Sequence, residues 1–115
     1  AVVTNLHTIV ARDIGDPLRP RALERLGAVM FETGSYDASI EALRKFLEDY
    51  PKDEECAAVQ RAVGRTYELG LGDYAGALKE YEHVLVAYAD YAMLDDVRRD
   101  VERVRAATKE PGYAP

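Results

Sequence analysis

Apolar side chains between Leu26 and Pro51 recur at steps of three and four residues, which is the spacing of an α-helix with one buried face. They form two series. The first consists of Leu26, Met30 and Phe31, and the second of Tyr36, Ile40, Leu43 and Leu47. Gly34 and Ser35 separate the two series, and a glycine after an apolar series is a typical helix end. The pattern therefore predicts a hairpin of two helices.

The same order of residues returns further along the chain. Gly64 follows Gly27 by 37 residues, and Tyr74 follows Tyr36 by 38. Such self-similarity at a fixed spacing indicates an internal repeat. The second copy is one residue longer, and we expect the extra residue in the turn from Leu69 to Gly72, because loops tolerate insertions.

Gly27 and Gly64 occupy equivalent places inside the first helix of each copy. A glycine inside a helix costs about 1 kcal/mol relative to alanine. Its presence at equivalent places predicts that two helices approach closely there, and that close packing offsets the cost. The alternative is that both glycines are ordinary weak spots.

These residues resemble the signature of the tetratricopeptide repeat (TPR) family, which is built from antiparallel helix pairs about 34 residues long. The first copy supplies Leu23, Leu26, Gly27, Met30, Gly34, Tyr36, Ser39, Leu43, Phe46 and Pro51. The second copy supplies Gly64, Tyr67, Gly72, Tyr74, Ala77 and Tyr81. The departures are Ser39 for alanine, Phe46 and Val84 for a small residue, and Ala89 where Pro51 would repeat. The resemblance implies an all-α, right-handed helical solenoid of about six helices.

The connection between the two copies gives a further resemblance. It runs from Pro51 to Gly64, three residues longer than an uninterrupted TPR array would need. Its sequence, PKDEECAAVQRAVG, is similar to the connection in bacterial cell-envelope TPR proteins of the Tol-Pal coordinator and outer-membrane assembly lipoprotein types. This similarity implies a location in the periplasm or cell envelope, with the cytoplasm as the alternative.

One TPR-like domain is predicted over residues 1–110. Its parts are a half repeat or capping helix over 1–14, repeat 1 over 20–51, repeat 2 over 54–89 and a C-terminal cap helix over 91–107, and residues 108–115 are predicted to be a flexible tail. The partner helix of a half repeat would lie upstream or come from another chain, which would allow a homo-oligomer through the N-terminal helix. Because the chain starts at Ala1 without a methionine, we expect a processed protein or a fragment.

Charge and composition exclude several classes of function. The net charge is −6, with 21 acidic and 15 basic residues, whereas binding to the phosphates of nucleic acids needs a basic surface. With 48% hydrophobic residues and no apolar run of 18, the chain is typical of a soluble domain without a membrane span. We therefore expect a protein partner rather than a nucleic acid or a membrane.

No motif for catalysis or metal binding is present in the sequence. Cys56 is the single cysteine, so it cannot form an internal disulfide, and it has no second cysteine or histidine at zinc-ligand spacing. His7 and His83 are isolated and match no metalloprotease spacing. We expect a non-catalytic protein with no cofactor and no metal site.

Six arginines form three pairs with four-residue spacing in the first helices of successive hairpins: Arg21 and Arg25, Arg61 and Arg65, and Arg99 and Arg103. Four-residue spacing places both members of a pair on one helical face. In TPR proteins that helix lines the concave groove, so we expect the pairs to form a basic ladder for an acidic or carboxylate-bearing peptide. The alternative is a solvated face in which these arginines pair with neighbouring carboxylates, namely Glu24, Glu68, Asp96 and Asp100.

Taken together, these patterns predict a scaffold or adaptor that binds a partner peptide or protein through its concave groove, in the setting of bacterial cell-envelope assembly. The alternative is a regulatory or oligomerisation domain of a larger enzyme or multidomain protein.

Overall fold

The computed structural model describes residues 2–114, and the side chains of residues 4–114. Over this range it contains six α-helices, one π-helix and no β-strand. The helices are α1 (Val2–Val10), α2 (Arg19–Glu32), α3 (Tyr36–Asp49), α4 (Cys56–Arg65), the π-helix (Thr66–Gly70), α5 (Tyr74–Ala87) and α6 (Leu94–Ala107). Within residues 2–114, no helix is both long enough and apolar enough to cross a membrane.

The helices pack as a stack of hairpins. α2 pairs with α3, α4 and the π-helix pair with α5, α1 packs on α2, and α6 packs on α5, while contacts between α3 and α4 join the two hairpins. The stack measures 45 × 31 × 17 Å, so it is elongated and thin. This all-α architecture confirms the predicted TPR-like helical solenoid.

Three apolar clusters hold the stack together. The first contains Phe46, Val59 and Val63 and joins the two hairpins. The second surrounds Tyr81 and fixes α6 through Val97, Val101 and Val104. The third buries Leu6 of α1 among Ala22, Leu26 and Ala42. Because each cluster spans a junction between neighbouring elements, the hairpins and the two end helices form one continuous body.

Glycine ends the first helix of each hairpin. Gly34 has φ 82° and Gly72 has φ 63°, a backbone conformation that side chains with a Cβ rarely adopt. On the other side of the second turn, the Asp73 carboxylate caps α5 by accepting a hydrogen bond from the Gly76 N–H at 2.9 Å. The repeated glycine in the sequence therefore marks the turn that reverses the chain.

Gly27 and Gly64 lie at the predicted close approaches. A Cβ at Gly27 would lie 2.6 Å from the Leu43 side chain, and a Cβ at Gly64 would lie 2.5 Å from the Tyr81 ring. Leu43 and Tyr81 are themselves equivalent positions of the two copies. The two hairpins thus use the same contact, with a large residue of the second helix seated against a glycine of the first.

The extra residue of the second copy lies within a helix, and not simply in the turn after Leu69. The π-helix absorbs it: the Leu71 N–H donates to the Thr66 carbonyl five residues earlier, at 3.1 Å. A π-turn accommodates one more residue than an α-turn without breaking the hydrogen-bond ladder. The insertion also seats Gly70 against the ring of Tyr36, the first residue of α3.

The C-terminal segment after α6 turns back onto α5. The Tyr113 ring packs on Tyr74 with centroids 5.3 Å apart, and its hydroxyl accepts a hydrogen bond from the Ala75 N–H at 2.8 Å. The predicted tail therefore has a specific contact in the structure, and its flexibility stays a prediction.

Candidate partner-binding groove

A groove of about 400 Å³ lies between the first helices of the two hairpins, and we call it the α2–α4 groove. One wall consists of Glu24, Ala28, Phe31 and Glu32 of α2, and the other of Ala58, Arg61, Ala62 and Arg65 of α4. Leu43 and Val59 contribute apolar surface, and Tyr91 lines it from the segment before α6. A volume of this size is in the range of protein ligand pockets.

Small side chains keep the groove open. Gly27, Ala28, Ala58 and Ala62 all line it, so the two helices present little bulk to each other. Ser39, one of the departures from the family signature, also lies here. It is fully buried, and its hydroxyl donates to the Gly27 carbonyl at 2.7 Å, so no unpaired polar group is left in the floor.

The six predicted arginines do not all lie in this groove. Arg61 and Arg65 line it, whereas Arg21, Arg25, Arg99 and Arg103 are not among its lining residues. The repeat register explains why Arg21 and Arg25 are absent from the groove. Arg61 and Arg65 are equivalent to Glu24 and Ala28, which precede them by 37 residues, the same spacing as between Gly27 and Gly64. Arg21 and Arg25 are therefore offset by three residues and face another direction.

Most of these arginines are held by carboxylates. Arg21 pairs with Asp53 at 3.0 Å and with Glu24, Arg61 with Asp100 at 2.7 Å, Arg99 with Asp96, and Arg103 with Glu68 and Asp100. In the described part of the chain, Arg25 and Arg65 have no carboxylate within the 4.0 Å of an ion pair. Arg65 is thus the groove arginine whose donors are open to a ligand.

An ion network with two buried carboxylates occupies the next junction, between α4 and α6. Asp100, 4% exposed, accepts from Nε of Arg61 at 2.7 Å and from Nη2 of Arg103 at 2.9 Å. Glu68, 8% exposed, accepts from Arg103 at 2.7 and 2.8 Å and from the Tyr81 hydroxyl at 2.8 Å. We call these five residues the α4–α6 network.

The network shifts the proton affinity of its members. The Arg103 hydrogen bonds lower the pKa of Glu68 below its ordinary value, and the Tyr81 hydroxyl adds to this effect. Burial and the hydrogen bond to Glu68 raise the pKa of Tyr81. At neutral pH Glu68 is therefore a carboxylate and Tyr81 a hydrogen-bond donor.

We expect the folding stability to depend on pH through Glu68. Because the pKa of Glu68 is lower in the folded than in the unfolded state, its contribution is complete above about pH 4.5 and is lost as the pH falls through the folded pKa. Urea unfolding at several pH values checks this. In Glu68→Gln, a neutral residue of the same shape, the loss below about pH 4.5 should be smaller; equal acid sensitivity in both proteins would contradict the assignment.

The sequence did not reveal several residues of the groove. No sequence motif marks the groove alanines, which are Ala28, Ala58 and Ala62. Nothing in the sequence distinguishes Glu32 from other surface carboxylates. Tyr91 lies against the second apolar cluster, and it also lines the groove. The repeat register is the one sequence signal that could have located this wall, since it makes Arg65 of α4 and Ala28 of α2 equivalent positions of the two copies.

Metal binding has no candidate site in residues 2–114, where no three His, Cys, Asp or Glu side chains come together in a suitable arrangement. Cys56 is buried, and its thiol lies 3.0 Å from the Tyr50 carbonyl. Burial raises the pKa of this thiol, so it is a poor nucleophile.

Comparison with known families agrees with the fold. Residues 21–53 match the family model of the tetratricopeptide repeat, a stretch that contains most of α2, all of α3 and the start of the connection to α4. Together with the helical solenoid, this match supports a TPR-type protein. Such repeats generally mediate protein–protein interactions and are typically non-catalytic modules. Among curated proteins, none was found to match the chain.

Proposed function

We propose that this protein is a non-catalytic scaffold that binds a segment of a partner protein in the α2–α4 groove. The observation that carries the proposal is the groove itself, an open cleft with an apolar interior. The exposed Arg65 lies at its wall and makes no ion pair with the residues that the structure describes. A rigid stack of hairpins can present such a groove without using its core residues. An acidic group of the partner would suit Arg65, since a guanidinium binds carboxylates through paired hydrogen bonds.

Arg61 has a different role in this proposal. Its side chain is 17% exposed, and its guanidinium already donates to Asp100. Reversing its charge would leave Asp100 buried beside a second carboxylate, which destabilises the fold. A double charge reversal of Arg61 and Arg65 would therefore mix a binding defect with a folding defect, and Arg65 alone is the informative position.

We expect Arg65→Glu to weaken binding of a groove-bound peptide by about 10- to 100-fold, the value of a charge-assisted hydrogen bond. Peptides selected from a displayed random library against the intact protein provide the ligand, and isothermal titration calorimetry measures the affinity. The matched control is Arg25→Glu, since Arg25 is also exposed, lies on a first helix and has no ion pair within residues 4–114. Its effect should stay below about twofold.

Two results would contradict the proposal. One is equal loss of affinity in Arg65→Glu and Arg25→Glu, which would indicate general electrostatics rather than a site. The other is unchanged affinity in Arg65→Glu while its helical circular dichroism is that of the wild type. Neither is expected, because Arg65 is exposed and makes no ion pair with the described residues.

A setting in bacterial cell-envelope assembly is part of the proposal and rests on the similarity of the Pro51 to Gly64 connection. Fractionation of cells that express a tagged form from the native locus tests it. Recovery with periplasmic or envelope fractions supports this setting, and recovery with cytoplasmic markers contradicts it.

The alternative, a regulatory or oligomerisation domain of a larger protein, depends on α1. This helix buries Leu6 against α2 and α3 residues, as the second helix of a preceding repeat would. Light scattering separates the two: a stable dimer that is lost when the exposed residues Asn5 and Thr8 are replaced by glutamate would favour assembly through this helix.

A further inference from the structure

The two junctions between first helices differ in one decisive respect. At the α4–α6 junction, the Arg103 guanidinium bridges Glu68 and Asp100 and so ties the two helices together. In the α2–α4 groove the position equivalent to Arg103 is Arg65, and the position equivalent to Glu68 is Phe31. Phe31 offers no carboxylate, Arg65 makes no ion pair with any described residue, and this junction holds an open groove.

Charges on the two walls limit what can enter. Glu32 of α2 is exposed and has no cation within 4.0 Å among the described residues, and Glu24 of the same wall is held by Arg21. On the α4 wall, Arg61 is neutralised by Asp100. Among the described residues of the groove, Arg65 is therefore the available cation, and Glu32 on the opposite wall is the carboxylate without a cation partner.

The interior of the groove favours an apolar group. Phe31, Leu43, Val59 and Tyr91 line it together with the alanines of both helices. Transfer of a large apolar side chain from water to such a surface is favourable. A run of acidic side chains would gain one pairing at Arg65 and would place its other charges near Glu32, whose carboxylate has no cation partner among the described residues, which is unfavourable.

We infer that the ligand of the α2–α4 groove is a peptide segment with one large apolar side chain next to a single carboxylate, and that runs of acidic residues are rejected. The apolar side chain occupies the cleft between Phe31 and Val59, and the carboxylate binds Arg65. This inference rests on the proposed function and narrows the acidic partner expected from the arginine ladder to a segment with one anchor and one charge.

Selection from a displayed random peptide library against the intact chain tests the inference. We expect selected peptides to share an aromatic residue or leucine beside one aspartate or glutamate. In synthetic copies, replacement of the apolar residue by alanine should weaken binding by about 10-fold or more, and replacement of the carboxylate by its amide by a similar factor. A peptide that carries lysine in place of the acid should bind Arg65→Glu better than the wild-type protein.

A blocking variant locates the site independently of charge. Ala28 is exposed and lines the groove, so Ala28→Trp fills the cleft without entering the core. Ala38 is an exposed alanine of α3 that does not line the groove, and Ala38→Trp is the matched control. Binding should be lost in the first variant and retained in the second, with helical circular dichroism unchanged in both.

The outcomes separate the inference from the proposed function. Peptides that Ala28→Trp blocks but that consist of acidic runs without an apolar anchor overturn the inference and leave the groove as the binding site. Peptides that bind Ala28→Trp as well as the wild type, or a selection that yields none, overturn both. Peptides with one apolar anchor and one carboxylate, blocked by Ala28→Trp, support both.

Discussion

Asp100→Ala is expected to lower the free energy of unfolding by about 3 kcal/mol, which is the low end of the range for breaking a buried ion pair. Asp100 accepts hydrogen bonds from Arg61 and Arg103 and is 4% exposed. Its removal leaves the largely buried Arg61 side chain without its carboxylate partner. Arg103 keeps both bonds to Glu68, which is why the expected loss is not larger.

Urea unfolding followed by helical circular dichroism measures this loss. The control is Glu102→Ala on the same helix, since Glu102 is exposed and has no ion pair in the described part of the chain. Surface substitutions of this kind change stability by less than about 0.5 kcal/mol. If Asp100→Ala behaved like the control, the α4–α6 network would contribute little, and α6 would be held by Val97, Val101 and Val104 alone.

Spacing along the sequence was sufficient to predict the fold. The apolar series predicted both hairpins. The equivalent places of Gly27 and Gly64 in the two copies predicted the two close approaches that the structure contains. Both depend on contacts within one hairpin, between residues whose separation the repeat itself defines. The periodicity of a sequence predicts contacts of this local kind reliably.

Contacts between elements far apart in sequence could not be predicted in the same way. Arg19 shows this: it is 5% exposed, donates to the Val10 carbonyl at 3.0 Å and pairs with Asp49 at 2.8 Å, thirty residues away. The Gln60 side chain likewise donates to Glu80 at 2.6 Å. The spacing of these residues does not distinguish them from solvent-exposed polar side chains. Their partners depend on how the helices pack in three dimensions.

The candidate site could be predicted only in part, because it depends both on local spacing and on contacts between distant elements. Four-residue spacing grouped Arg61 with Arg65 and Arg21 with Arg25, but it does not give the rotation of one helix relative to the next. A register offset of three residues turns the second pair away from the groove, and Asp100 engages Arg61 from a helix 39 residues later. Whether Arg65 binds a partner stays a prediction.

Gly64→Ala is expected to lower the free energy of unfolding by about 1–3 kcal/mol, the usual cost of overpacking a core, although alanine is the better helix former. The new Cβ would lie 2.5, 2.7 and 3.1 Å from three atoms of the Tyr81 ring. Tyr81 cannot yield, because its side chain is fully buried and its hydroxyl is held by Glu68 at 2.8 Å.

Gly27→Ala is the matched control for this prediction, with the equivalent position in the first hairpin. Its Cβ would meet Leu43, whose side chain can rotate into the open α2–α4 groove, so we expect a change within about 1 kcal/mol. Thermal and urea unfolding of both variants measure the difference. In a Tyr81→Leu background, the cost of Gly64→Ala should fall, since leucine reproduces the contact of the first hairpin. Equal costs in both backgrounds would show that the Tyr81 ring is not the obstacle.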